Sequence, residues 1–170
     1  MKLRNLEPKD APRMLQWMHD PDAVAHLQGR FLEKTLQDCL DFIACSQNSD
    51  TQLHLAIAGE DDTYLGTVSL KHIDRQQKDA EFAIAIHPDA MGTGCAQWAM
   101  ESILHQGLTE QRLNRIFWCV SPENRRAVRF YEKNGYPRVE AKAVHAERYY
   151  APQLVDQLLW YCAEGAQGEK

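Results

Sequence analysis

The residues with the clearest capacity for chemistry lie between positions 80 and 100, in the run AEFAIAIHPDAMGTGCAQWAM. A short apolar segment, Phe82 to Ile86, meets a Pro-Asp break and then Gly92 and Gly94. A helical stripe follows at Ala96, Ala99, Met100, Ile103, Leu104 and Leu108. The order is therefore strand, glycine turn, helix. Glycines let backbone N–H groups converge with no Cβ in the way, and the helix start adds partial positive charge. Such a turn suits a phosphate or pyrophosphate, although a Gly-x-Gly before a helix also occurs as a plain tight turn.

The elements that must position this turn fit one domain. A chain of 170 residues with 44% hydrophobic content can bury a full core. The net charge of −5 leaves no basic stripe and argues against nucleic acid as a partner. An acidic surface favours a cationic substrate such as an amine. Cys39, Cys45, Cys95, Cys119 and Cys162 form no CxxC pair and have no histidines at metal-ligand spacing, so reduced and mostly buried thiols are expected, with no metal. The opening MKLRNLEPKD has no apolar signal core, and no stretch reaches membrane-spanning length. A soluble cytoplasmic protein with no membrane partner is expected.

Taken in order, Lys2 to Asn5 reads as an edge strand. A helix carrying Met14, Leu15 and Met18 ends near Asp20-Pro21, because proline disfavours helical geometry in the residue before it. Residues 22–34 read as an irregular connection with His26, Arg30 and Phe31, and Thr35 to about Ser46 as a second helix. Leu53 to Ala58 and Tyr64 to Ile73 read as a hairpin, and the Glu81 strand completes an antiparallel meander. Arg115 to Val120 is continuously apolar, as in a strand covered on both faces. The next helix opens with either Ser121 or Asn124 as its cap and closes at Asn134-Gly135. Tyr136 to Ala146 and Leu154 to Ala163 read as the last strands, and 164–170 as a frayed tail.

The glycine turn MGTGCA, the apolar strand after its helix, and NRRAVRFYEKNGY, in which Tyr131 lies seven residues after Asn124, together resemble the GCN5-related N-acetyltransferase (GNAT) superfamily. The finer likeness of WMHDP, FLEKTLQDCLDFI and AEFAIAI is to the branch holding ribosomal-protein-alanine and amino-sugar N-acetyltransferases. The resemblance implies a single α/β domain over residues 1–163, with a mixed, mostly antiparallel sheet of six or seven strands and helices on both faces. It implies acetyl-CoA as co-substrate, held at Met91, Gly92, Thr93, Gly94, Cys95 and Ala96. Met91 departs from the family's Arg or Gln there, which removes one side-chain donor, while the backbone donors remain. The family splays its fourth and fifth strands and bulges the fourth, so Ile84, Ala85 and Ile86 are expected to meet the pantetheine arm. Asn124 is a further candidate for pantetheine and Arg126 for the CoA 3′-phosphate.

Acetyl transfer needs a donor for the negative charge on the thioester oxygen. A free N–H near Ala85 or Ile86 can supply it, and one preorganised donor is worth roughly 3 to 4 kcal/mol. The leaving thiolate needs a proton, which the Tyr131 phenol can hold at neutral pH. The attacking amine must lose one, and Glu81 shares a strand face with Ala83 and Ala85, whose small side chains leave room beside it. Duller readings stand beside these: Tyr131 as a core tyrosine, Glu81 as a solvated edge carboxylate, His72, His87 and His145 as surface or strand-end histidines with His72 an alternative base, and Arg125, Arg126 and Arg129 as a solvated helix face.

The resulting expectation is acetyl transfer to a primary amine by direct attack in a ternary complex, with no acetyl-cysteine, since Cys95 lies in the turn and Cys119 in a buried strand. The acceptor, a small-molecule amine, amino sugar, polyamine or protein N-terminus, would enter between the first two helices around Trp17, His26 and Phe31 and the Arg148 to Tyr150 loop. A homodimer is permitted. The competing expectation is an acetyl-CoA-binding sensor without turnover, which Met91 favours and the retained Tyr131 and Glu81 do not.

Overall fold

The computed structural model describes residues 1–165. Its strands are β1 (Lys2–Asn5), β2 (Leu53–Ala58), β3 (Tyr64–Asp74), β4 (Asp79–Ile86), β5 (Arg115–Val120), β6 (Arg138–Val139) and β7 (Leu159–Glu164). They form one seven-stranded sheet in the order β1-β2-β3-β4-β5-β7-β6. Every neighbouring pair is antiparallel except β4 with β5. A parallel neighbour requires a crossover. Helix α4 (Cys95–His105), extended by a π turn over Gln106–Glu110, makes it.

The other helices are α1 (Ala11–Met18), α2 (Pro21–Val24), α3 (Leu36–Ser46), α5 (Arg125–Lys133) and α6 (Pro152–Val155). Strand alternation sends Ile57, Val68, Leu70 and Phe82 to one face, where they pack with Met100 and Ile103 of α4 and Tyr131 of α5. The opposite face carries Ala56, Tyr64 and Ala85 against Met14 and Trp17 of α1 and Cys39 and Ile43 of α3. Trp118 on β5 is fully buried, with Tyr131, Tyr136, Tyr161 and Phe82 around its ring at centroid distances of 5.4, 5.1, 6.0 and 5.6 Å.

Helix starts follow local chemistry. Thr35 caps α3 in a reciprocal box with Asp38. Asn124, and not Ser121, caps α5, its side-chain oxygen accepting from the Ala127 amide at 3.1 Å. The expected irregular stretch 22–34 is partly ordered: Asp20 accepts from the amides of Asp22 and Ala23 at 2.9 and 3.3 Å, so Pro21 both ends one helix and starts α2.

The two expected final strands are much shorter than read. Between Val139 and Leu159 the chain forms 3-10 turns over Ala141–Val144 and Ala146–Arg148, joined at His145 with φ 52°, and then α6. Val144 and Ala146 are buried there against Phe117, Trp160 and Cys162, so their burial comes from covering the sheet rather than extending it. Glu164 belongs to β7 and Gly165 donates to the Asn114 carbonyl at 2.9 Å, so the expected tail does not begin at 164. Its remaining positions, 166–170, lie outside the described residues.

Candidate active site

The turn before α4 is built to expose amides. Gly92 and Gly94 have φ of 79° and 85°, and a Cβ at either would meet nothing within 4 Å. Both positions are uncrowded and hold a conformation that glycine adopts without strain. Among the described residues no acceptor lies within hydrogen-bond distance of the amides from Gly92 to Ala96. The Thr93 hydroxyl donates to the Ala90 carbonyl at 2.7 Å and steadies the turn, and Cys95 is buried beneath it. Arg126, in the first turn of α5, places a guanidinium nitrogen 3.2 Å from the Met91 sulfur. A cation thus stands at the position where the sequence lacks one, and the donor set fits a polyphosphate group.

A slot opens between β4, the strand that leads to this turn, and β5. These strands pair only at Asp79 with Arg115, Ala80 with Ile116 and Glu81 with Phe117, and then diverge. The His87 amide donates to the Leu65 carbonyl at 2.8 Å. Because an antiparallel ladder alternates, Ala83 and Ala85 also turn their peptide groups toward β3, and Ile84 and Ile86 turn theirs into the slot. The expected bulge in β4 is absent: the β3 to β4 register is regular from Gly66 to Lys71, and the irregularity lies in β3 at His72 and Ile73. Of the two amides expected to be free, Ile86 is the one so placed and Ala85 is not. Gly66 permits the close packing here, since a Cβ on it would lie 2.5 Å from the Ala85 carbonyl oxygen.

A cavity of about 490 Å³ runs from this slot through the sheet's far face to α1 and α3, and it brings Tyr131, Asn124, Cys119 and Glu81 into one space. Tyr131 is buried, and burial raises its phenol above the ordinary value, so the hydroxyl keeps its proton at neutral pH. The Cys119 thiol, read from sequence as inside a buried strand, stands half-buried on the cavity wall. Burial pushes it up to about 11, which leaves it a protonated and weak nucleophile.

Glu81 is not an edge carboxylate. It sits on an interior strand at 2% exposure. The Tyr150 hydroxyl donates to its Oε1, and Lys71 Nζ lies 3.3 Å from that oxygen. Oε2 is buried with no hydrogen-bond partner, and His72 Nε2 lies 3.5 Å from it. Burial and Glu81 together raise the Tyr150 phenol, so it serves as a donor. Tyr150 is held by its neighbour: Arg148 bonds Asp79 at 2.8 Å and Asp74 at 3.2 Å, turning away from the cavity it was expected to line.

Trp17, His26 and Phe31 do line the cavity, at its α1 and α3 end, with Trp17 fixed by its indole donating to Tyr64 at 3.1 Å. His87, read as a surface or strand-end histidine, directly follows the last residue of β4 and is buried against Gln16 and Arg13 at 3.1 and 3.2 Å, whereas His145 is exposed. Sequence reasoning missed His54, Ser69 and Lys71. His54 Nδ1 pairs with Ser69 Oγ at 2.7 Å and Nε2 with Gln52 Oε1 at 2.9 Å, and burial pushes the imidazole down to about 4. The available signal was alternation: His54, Thr67, Ser69 and Lys71 are polar at every second position of strands whose other face is apolar.

Among the described residues no group of three His, Cys, Asp or Glu side chains could hold a metal, and no helix is long and apolar enough to cross a membrane. The family model described as an acetyltransferase (GNAT) domain matches residues 1–137. Spermidine N(1)-acetyltransferase of Escherichia coli K12 is 29% identical over 150 residues, covering 85% of this chain and 76% of that one. An uncharacterized N-acetyltransferase of Bacillus licheniformis is 26% identical over 157 residues, covering 84% and 85%. In fold, the chain is similar to spermidine N-acetyltransferase from Vibrio cholerae in complex with CoA and spermine, with a TM-score of 0.79 and 19% identity over 97% of this chain and 95% of that one. Two of these three relatives carry spermidine N-acetyltransferase names. With the family model spanning most of its length, this chain belongs to the GNAT acetyltransferases.

Proposed function

We propose that this acetyltransferase moves the acetyl group of acetyl-CoA to a primary amine of a small aliphatic polyamine by direct attack in a ternary complex. The observation that carries the reading is a single cavity that brings the Glu81 carboxylate, Asn124 and Tyr131 together where β4 and β5 part, on the strand that leads on to the unpartnered amides of the glycine turn. Holding both reactants in that space makes the encounter effectively unimolecular.

The Gly92 to Ala96 amides and Arg126 take the phosphates, and Asn124, whose side-chain nitrogen makes no bond among the described residues, is available to the pantetheine arm. Glu81 removes a proton from the entering ammonium. The neutral amine then forms the new C–N bond while the Ile84 and Ile86 amides face the charge growing on the carbonyl oxygen. The C–S bond breaks, Tyr131 gives its proton to the departing sulfur, and the second proton, shed by the nitrogen as it becomes an amide, restores the Tyr131 phenol. The raised Cys119 thiol fits direct attack better than an acetyl-cysteine.

The polyamine assignment draws on the spermidine relatives, on the Glu81 and Asp38 carboxylates of the cavity, and on Trp17 and Phe31, whose rings lie 5.4 Å apart at the acceptor end and can cover a methylene chain. CoA release from acetyl-CoA, measured against spermidine, spermine, amino acids, amino sugars, aminoglycosides and N-terminal peptides, tests it. Spermidine or spermine should give the highest kcat/KM. A peptide or amino sugar preferred over both would overturn the acceptor class, and tight acetyl-CoA binding without turnover on any amine would overturn the mechanism.

A further inference from the structure

We propose that His72 is a positioning residue for Glu81, a relay that takes the acceptor's proton from the buried carboxylate and passes it to solvent. The inference rests on Glu81 as the base. That base opens only on the cavity: its side chain is 3% exposed and, among the described residues, its Oε2 has no hydrogen-bond partner, so once the acceptor fills the cavity a proton taken from the amine has no direct route to bulk water. His72 Nε2 is 3.5 Å from that oxygen, and the His72 side chain is 36% exposed. One ring therefore touches both the orphaned oxygen and the surface.

The backbone is bent to put it there. His72 has φ 50°, a left-handed conformation that is uncommon outside glycine, at the one irregularity in the β3 to β4 register. Irregularities of this kind re-aim a side chain, and strain of this kind persists where the surroundings enforce it. Tyr149 provides that enforcement, stacking on the imidazole at 4.1 Å with the rings 9° from parallel. The ionisable groups around the ring are Glu81 from β4, Lys71 from β3, and Arg148 and Tyr149 from the covering segment. Burial lowers the imidazole, Glu81 opposes that, and Lys71 and Arg148 add to the lowering, so the net shift favours the neutral ring, which is the form able to accept.

The transfer balances. The N–H bond of the ammonium breaks and an O–H bond forms on Glu81; rotation about the soft terminal torsion of the side chain turns that proton toward His72. The O–H bond then breaks as Nε2–H forms, and Nδ1–H is lost to a solvent water, which restores carboxylate and neutral imidazole.

His72→Asn and His72→Gly both tolerate the left-handed backbone, so neither removes the fold. With acetyl-CoA and the amine of highest turnover, both should lower kcat about tenfold or more while leaving KM for acetyl-CoA unchanged. His72→Asn should lose the acid limb that imidazole titration gives the wild type, and added imidazole should restore turnover in His72→Gly. His72→Asn combined with Glu81→Gln should be no slower than Glu81→Gln alone. A readout independent of any acceptor is the nitrogen NMR titration of His72, which should move to lower pH in Glu81→Gln as the carboxylate is lost. Wild-type kcat and pH profile in His72→Asn beside an impaired Glu81→Gln, or an unmoved His72 titration, would overturn the relay alone. Wild-type turnover in Glu81→Gln would instead overturn Glu81 as the base.

Discussion

Tyr131 and Glu81 reach one cavity by different routes. Tyr131 lies on the helix face that packs on Trp118, so its burial, its protonated phenol and its place at the slot have one cause. Its position was legible in the sequence, because helix periodicity and the Asn124 cap are local. Glu81 was legible as a face-mate of Ala83 and Ala85, but its partners were not: Tyr150, Lys71 and His72 arrive from other elements through long-range pairing. If Glu81 takes the amine proton, Glu81→Gln should depress kcat/KM most at low pH, where free amine is scarcest. A rate profile parallel to the wild type across pH 6 to 9 would contradict that role.

The glycine turn and the α5 cap were readable for the same reason, since each is set by residues within a few positions of one another. Gly94→Val tests the turn: with nothing within 4 Å of the new Cβ, its only cost is the left-handed backbone at φ 85°. That cost is about 1 to 2 kcal/mol and should raise KM for acetyl-CoA roughly tenfold as the turn relaxes and its amides disperse. An unchanged KM would remove these amides from phosphate binding. Less was legible where elements meet. The opening between β4 and β5 depends on pairing that stops at Phe117, and no local signal marks the place. Residues 136–146 read as strand, and Val139 and Val144 are apolar within them; past Val139 the structure spends that apolarity on covering Phe117 and Trp160 in short turns.

Across the molecule, an ion cluster ties the sheet to the segment that covers the active site. Asp79 is fully buried and pairs with Arg115 at 3.2 Å and Arg148 at 2.8 Å, and Arg148 precedes the two tyrosines packed on His72 and Glu81. Asp79→Ala would leave two arginines without their partner and should destabilise the fold by about 3 to 5 kcal/mol, read as a fall in the denaturation midpoint. A second whole-molecule consequence comes from His54. Its folded value is depressed to about 4 from the ordinary 6.5, so the unfolded chain binds the proton first as pH falls. Stability is therefore fully present above about pH 6.5 and declines toward pH 4, by on the order of 3 kcal/mol if the whole shift is realised. His54→Gln should flatten that decline, and an identical slope in the variant would exclude His54 as its source.

The central claim is that acetyl transfer takes place in the slot between β4 and β5, with Tyr131 protonating the leaving sulfur. Steady-state CoA release by wild type and Tyr131→Phe, with acetyl-CoA varied at saturating amine, tests it most directly. The account predicts a loss in kcat of about a hundredfold or more, with KM for acetyl-CoA changed little. Equal turnover in the two proteins would contradict it.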